Sequence, residues 1–198
     1  MTDLPMIYLA RHGETNWTIS RQHTGRTDIP LTPRGEKNAR QLGSRLAGVE
    51  FARVFTSPLQ RARRTCELAG FGDRAQIDPD LVEMDYGRYE GRRTEDIRQE
   101  TPDWDLFRDG CPGGESIAAI TARVDRVIER LRGYRAGNTL LFTHMHFLRF
   151  LAVRWIGLPP IEGRRFLLST ASLGILGYDH TLDESAIRLW NDDRHVTP

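Results

Sequence analysis

Ala10-Arg11-His12-Gly13-Glu14-Thr15 follows directly on the apolar run Met6-Ile7-Tyr8-Leu9. A short β-rich run ending in Arg-His-Gly sets a cation and an imidazole at the C-terminal tip of a strand. Ligands of open α/β sheets collect at that edge. An imidazole beside a fixed guanidinium has the chemistry of a phosphoryl acceptor, because the ring attacks phosphorus while the cation spreads the charge on the phosphate oxygens. Alone this is a modest signal; its weight comes from matching parts elsewhere in the chain.

Outward from that stretch, short apolar runs alternate with helical patterns, which reads as α/β. Strands are expected at Ile7–Ala10, Arg53–Thr56, Gln76–Ile77, Thr139–Thr143, Phe166–Leu168, Leu173–Tyr178 and Ile187–Trp190. Thr32 as N-cap with Pro33 at the first helical position opens a helix, and Ala39, Leu42 and Leu46 then share one face. Ser57-Pro58 repeats that start for a helix to about Ala69. Between Glu115 and Arg132, residues Ile117, Ile120, Val124, Ile128 and Leu131 make an amphipathic stripe. Met145 to Ile156 is apolar nearly all round and predicts a buried helix stopped by Gly157 and Pro159. Residues 78–114 are irregular and rich in Gly, Asp and Arg. They read as loops and short helices over the sheet, a cap-like insertion in a single domain spanning 1–198.

A length of 198 residues with 39% hydrophobic content suits one domain with a full core. The net charge of +1 gives no general pull toward nucleic acid or membrane, so neither is an expected partner. Lys37 is the only lysine among 28 basic residues. Arginine suits bidentate oxyanion binding, and a GC-rich coding bias produces the same skew. Met1 to Pro5 lacks the basic-then-apolar pattern of a secretory signal. No apolar run approaches the roughly 20 residues that span a bilayer. Cys66 and Cys111 have no metal, redox or disulfide-framework spacing. A cytoplasmic protein is expected. Its exposed arginines suit two readings, a homo-oligomer interface and solvated helix faces.

The run Thr139–Thr143 delivers His144 to a second strand tip, with Arg149 shortly after. Adjacent tips of a parallel sheet would let His12 and His144 face one phosphate; the competing reading is a histidine on a helix cap. Arg61 falls in the first turn of the helix after Val54–Thr56, where free N–H groups favour anions and a guanidinium adds a bidentate clamp. Arg63 and Arg64 are expected on the solvated face. Glu83, before the Gly87 turn, is placed to protonate a leaving alkoxide, and Asp85 competes for that role. His144-Met145-His146 is an H-x-H pair without nearby carboxylate or cysteine company, so no metal and no other cofactor is expected. His180 and His195 lie in polar stretches and are expected to be exposed.

Arg11-His12-Gly13-Glu14-Thr15, Ser57-Pro58-Leu59-Gln60-Arg61-Ala62, Glu83 with Tyr86-Gly87, and Thr143-His144 with Arg149 together resemble the histidine phosphatase superfamily. The motifs run in the family's order from about residue 6 to 178. The resemblance implies the phosphoglycerate mutase-like fold: three α/β/α layers and a mostly parallel central sheet with one antiparallel strand. It also implies roles. His12 would be the nucleophile that becomes phosphohistidine, Arg11, Arg61 and His144 would hold the transferring phosphoryl group, and Glu83 would be the proton donor.

Gln22-His23-Thr24-Gly25 through Pro33, and Asp109 through Ser116, are similar to the sugar-phosphate phosphatases, especially the sedoheptulose-bisphosphatase type. His146, two places after His144, belongs to the same likeness. Cofactor-dependent mutases carry a longer segment after the proton donor, with a lysine where this chain has Thr94. The expected activity is therefore hydrolysis of a small phosphate monoester, with a phosphoglycerate mutase or a non-catalytic phosphate-binding member as alternatives. Two positions depart from the family pattern. Met145 replaces the usual Gly after His144, a position where Gly allows φ > 0 and Met resists it. Thr18 replaces an Asn, and its hydroxyl is expected to donate in the Asn's place. Gln22, His23, Thr24, Gly25, Tyr86 and Arg93 are the expected contacts to the non-reacting part of the substrate.

Overall fold

Strand β1 (Ile7–Arg11) sends Ile7 and Leu9 into one apolar cluster and Tyr8 and Ala10 into another, so both of its faces are buried. The computed structural model describes residues 4–196, so most of the Met1–Pro5 stretch lies outside the described residues. After β1 come α1 (Asn16–Ile19), α2 (Pro33–Arg45), β2 (Phe51–Thr56), α3 (Gln60–Leu68), β3 (Gln76–Ile77), α4 (Thr94–Glu100), α5 (Leu106–Asp109) and α6 (Ile117–Gly133). They are followed by β4 (Asn138–Thr143), α7 (Met145–Trp155), β5 (Leu173–Tyr178) and β6 (Ser185–Asp192).

The sheet order is β3-β2-β4-β1-β5-β6. β1 through β4 run parallel, and β5 alone runs against the other strands. Leu42 and Leu46 from the α2 region and Cys66 from α3 pack with Leu140 and Phe142 on one face. Val124 and Ile128 of α6 and Phe147 and Leu151 of α7 pack with Leu141 on the other. Three layers result, and the C-terminal tips of β1, β2 and β4 lie side by side.

Local chemistry accounts for most helix ends. The Thr32 hydroxyl accepts the Gly35 N–H at 3.0 Å and Pro33 takes the first turn of α2. Ser116 caps α6 in the same way through Ala119 N–H, and Gly157 leaves α7 at φ 77°. A β-carbon on Gly35 would stand 2.3 Å from the Glu14 carbonyl oxygen, so only glycine lets α2 press this close to the loop after β1.

Two expected elements differ. Helix α3 starts at Gln60, later than Ser57-Pro58 predicts, because the Ser57 hydroxyl is drawn to His144 and Asp28 Oδ1 takes up the Gln60 N–H at 2.8 Å. Phe166–Leu168 forms no strand; its Leu167 and Leu168 carbonyls accept from Trp190 Nε1 and Arg11 Nη1 instead of a ladder partner. Residues 78–114 contain two 3₁₀ turns, Pro79–Leu81 and Gly87–Tyr89, besides α4 and α5. Leu81, Met84, Ile97, Trp104 and Phe107 from this segment are buried in the cluster that holds α7, which ties it to the body of the domain. No helix among the described residues is long and apolar enough to cross a membrane.

Candidate active site

Residue His12 is the first beyond β1, and its backbone N–H continues the ladder to the Thr143 carbonyl at 2.9 Å. Its Nδ1 lies 2.7 Å from the Gly13 carbonyl oxygen. A carbonyl only accepts, so Nδ1 carries the proton and Nε2 keeps its lone pair. Burial pushes the His12 pKa well below its ordinary value, and the charges of Arg61 and then Arg11 push it further. A neutral ring with a free Nε2 is a nucleophile.

Arg11 donates through Nη1 to the Leu168 carbonyl, and burial lowers its pKa to about 10. Arg61, in the first turn of α3, is wholly buried and donates to the carbonyls of Thr24, Gly25 and Thr27. The His144 ring lies 5.2 Å from that of His12, and its Nε2 lies 2.8 Å from Ser57 Oγ. Ser57 Oγ also accepts the Leu59 N–H, and His144 Nδ1 is buried without a partner. His144 is the N-cap residue of α7, and its ring bonds Ser57 instead of the helix's own N–H groups.

Among the described residues, five buried side-chain polar atoms lack a hydrogen-bond partner, and Arg11 Nε, Arg61 Nε and His144 Nδ1 are three of them. Buried polar atoms are normally paired. Among the described residues, neither Arg11 nor Arg61 has a carboxylate within ion-pair distance. Donors left open in this way suit an oxyanion.

Glu83 sits against the start of α7. Its Oε1 accepts the N–H groups of Met84 and Phe147, and Oε2 accepts that of His146. Oε2 therefore keeps a lone pair that Oε1 has used. Asp85 instead accepts the Gly87 N–H and faces Arg26, and of the two carboxylates only Glu83 lines the cavity. Met145 is the first residue of α7 and is not among the three non-glycine residues with positive φ, Arg21, Ala171 and Asn191. The backbone objection to Met145 therefore disappears, and its side chain lines the cavity.

That cavity has a volume of about 370 Å³ and is lined by Arg11, His12 and Glu83 at its floor. Thr18, Gln22, His23, Thr24, Tyr86, Met145 and His146 also line it. Arg61 and His144 are not among the lining residues and are each 0% exposed. His146 Nδ1 is 2.6 Å from the Tyr86 hydroxyl, and His23 Nε2 is 3.2 Å from Thr94 Oγ1.

Four expectations change. Arg93 is turned away, paired with Asp96 in an adjoining surface groove. Gly25 does not line the cavity; it gives its carbonyl to Arg61 and its N–H to Glu90. The Thr18 proton goes to the Thr15 carbonyl at 2.8 Å in a capping box, so it is not free for substrate. His195 is half-buried and bonds the Ala171 carbonyl, whereas His180 is exposed as expected.

Trp17, Arg21, Thr94 and Arg149 line the cavity without having been expected there as contacts. Arg149 had a legible signal, as the one guanidinium in the otherwise apolar run from Phe147 to Val153. It lies over the Phe107 ring at 4.6 Å and donates to the Gly163 and Arg164 carbonyls. Among the described residues, the only cluster with metal-ligand spacing is Asp179, His180 and Glu184, exposed and remote from these residues.

The buried imidazoles make stability depend on pH. Burial holds His12, His144 and His146 well below 6.5, and lowers His23 to about 4. The unfolded chain takes up these protons first, so their contribution is present above pH 6.5 and is lost as pH falls below it. Each fully buried ring costs up to about 1.4 kcal/mol per pH unit below that point. Thermal unfolding should show Tm falling steadily from pH 7 to pH 5. A flat Tm over that range would show that these rings are protonated in the fold.

A neutral imidazole with a free Nε2, open guanidinium donors and a carboxylate at one sheet edge suit an oxyanion ester. Comparison with known proteins agrees. Residues 7–193 match the family model of the histidine phosphatase superfamily (branch 1). An acid phosphatase from Mycobacterium tuberculosis is 39% identical over 184 residues, covering 91% of this chain and 90% of that protein. Sedoheptulose 1,7-bisphosphatase of Saccharomyces cerevisiae is 32% identical, covering 93% and 92%. A solved structure of a Mycobacterium tuberculosis open reading frame product superposes with a TM-score of 0.90 at 36% identity, over 94% of this chain and 97% of that one. Proteins similar to phosphoglycerate mutase are also among the relatives. The chain belongs to the histidine phosphatase superfamily and is an enzyme of that group, with the phosphoglycerate mutase-like fold.

Proposed function

We propose that this enzyme hydrolyses a small phosphate monoester, a sugar phosphate, through a phosphohistidine intermediate on His12. The observation that carries the reading is the Nδ1 bond to the Gly13 carbonyl, which leaves Nε2 free beside Arg11 and near the buried Arg61. Nε2 attacks phosphorus in line with the ester oxygen, the P–O bond breaks, and Glu83 passes a proton to the leaving alkoxide. Arg11, Arg61 and the His144 Nδ1–H meet the charge on the equatorial oxygens. Water then attacks the phosphohistidine, Glu83 takes its proton, and the P–N bond breaks to release phosphate. The guanidiniums answer the phosphate charge, so the scheme calls for no metal.

Polar groups on Gln22, His23, Thr24, Tyr86 and His146 around a cavity of about 370 Å³ support a compact, hydroxyl-rich substrate. So does the similarity to a sedoheptulose bisphosphatase. Thr94, bonded to His23 where a mutase carries a lysine, supports hydrolysis over phosphoryl return. The five residues assigned to the chemistry are all present, which supports catalysis over simple phosphate binding.

In the same reading, residues 78–114 are a substrate cap on one domain. The enzyme works in the cytoplasm, which is supported by two buried free thiols that burial raises to about 12. Phosphate release from a panel of sugar mono- and bisphosphates, phosphoglycerates and phosphopeptides tests the substrate class. Sugar phosphates should lead phosphopeptides by about 10-fold or more in kcat/KM. Equal slow rates on every compound would overturn the assignment, and primer-dependent interconversion of phosphoglycerates would establish a mutase.

A further inference from the structure

The turn at residues 167–172 holds both Arg11 and His12 from below. The Leu168 carbonyl accepts Arg11 Nη1, the Ser172 carbonyl accepts the Arg11 N–H, and the Ala171 N–H donates to the His12 carbonyl at 3.1 Å. Ala171 takes φ 56°, a conformation that glycine adopts freely and alanine resists. Such strain persists only where the surroundings over-determine it.

The surroundings here come from the end of the chain. Trp190 Nε1 donates to the Leu167 carbonyl at 2.8 Å, and Asn191 Oδ1 accepts the Ser169 N–H at 2.6 Å. His195 Nε2 donates to the Ala171 carbonyl at 2.8 Å. Asn191 is itself left-handed at φ 53°. Ala171 is thus gripped on both sides, by His12 through its N–H and by His195 through its carbonyl.

We propose that Trp190, Asn191 and His195 form a positioning clamp, fixing the Arg11 guanidinium and the His12 backbone through the 167–172 turn. None of the three lines the cavity, so each acts through the turn. The clamp's effect on turnover rests on the phosphatase reading above; its effect on oxyanion binding does not.

The test is a pair of double-mutant cycles, His195→Ala and Asn191→Gly, each crossed with Arg11→Lys. They are read as kcat on p-nitrophenyl phosphate and as Kd for tungstate. Asn191→Gly keeps the left-handed backbone and deletes only the bond to Ser169, so one arm survives if His195→Ala folds poorly. Each clamp variant alone should lower kcat roughly 5–20-fold and weaken tungstate several-fold. In the Arg11→Lys background both losses should shrink to about 2-fold or less. His195→Gln, which keeps an N–H donor, should recover most of the His195→Ala loss. Losses that multiply independently of Arg11 in both readouts, or a Gln variant no better than Ala, would overturn the clamp. Wild-type protein inert on p-nitrophenyl phosphate would sink the phosphatase reading, and the tungstate cycle would still judge the clamp.

Discussion

Replacing His12 by alanine should reduce phosphate release to background, a fall of at least about 10⁴-fold, and leave no acid-labile phosphate on the protein. The size follows from the ring's position in the scheme. Nε2 forms the only bond that divides the reaction into two steps, and its lone pair is left free beside Arg11 by the Nδ1 bond to the Gly13 carbonyl. His144 does not replace it, because its Nε2 is engaged with Ser57. His146 does not either, since its Nδ1 is tied to Tyr86 at 2.6 Å. Binding should respond differently from turnover. The guanidinium donors remain, so inorganic phosphate or tungstate should bind His12→Ala within about 10-fold of wild type. Incubation with ³²P-labelled ester, acid and base quench, and gel autoradiography read the intermediate. Full turnover in His12→Ala, or label that survives acid and is lost in base, would reject His12 as the phosphoryl acceptor.

The second large effect is expected at Glu83, and it has the opposite labelling signature. Glu83→Gln removes the proton donor of the first step and the base of the second. General acid–base loss on an alkyl phosphate should cost about 10²–10⁴-fold in kcat. With p-nitrophenyl phosphate the leaving group needs no proton, so the first step stays fast while hydrolysis of phospho-His12 is slow. Stopped-flow absorbance should then show a burst of p-nitrophenol followed by a slow phase, and acid-labile label should accumulate where His12→Ala has none.

This variant also disturbs the fold, in a separable way. The Glu83 oxygens accept N–H groups from Met84, His146 and Phe147, and an amide at the Oε2 position would point N–H at N–H. Losing that bond should cost about 1–3 kcal/mol, visible as a lower Tm without bearing on the burst. A Glu83→Gln enzyme that turns over alkyl and aryl esters with equal, small losses would show that Glu83 only holds α7.

The double duty of Glu83 illustrates what a linear reading misses. Its spacing before the Gly87 turn marked it as a proton donor, but no local pattern reveals that it also caps α7, more than sixty residues later. The same gap explains Gly25, which was legible as part of the specificity stretch and instead anchors Arg61 through its carbonyl. Arg93 was expected to contact the non-reacting part of the substrate, yet Asp96 is one helical turn away and pairs with it at the surface. Thr18 was expected to donate to a substrate, and the capping box with Thr15 absorbs its proton first. For Arg93 and Thr18 the partner is three residues away, whereas for Glu83 and Gly25 it comes from a distant segment.

The sequence by itself determined the layered α/β fold, the strand tips carrying His12 and His144, the helix turn carrying Arg61, and the family. These follow from apolar periodicity and from residue types at fixed distances from strand ends, which are local properties of the chain. Only the tertiary structure decided the tautomer of His12, the open donors on Arg11 and Arg61, the entry of Arg149 into the cavity, and the ordinary backbone of Met145. It also decided that Trp190, Asn191 and His195 close on the turn beneath the nucleophile. Those outcomes depend on hydrogen bonds between segments as much as 157 residues apart, as Arg11 to Leu168 shows. Which acceptor a buried donor finds is set by packing, and packing is not written in the spacing of any one segment.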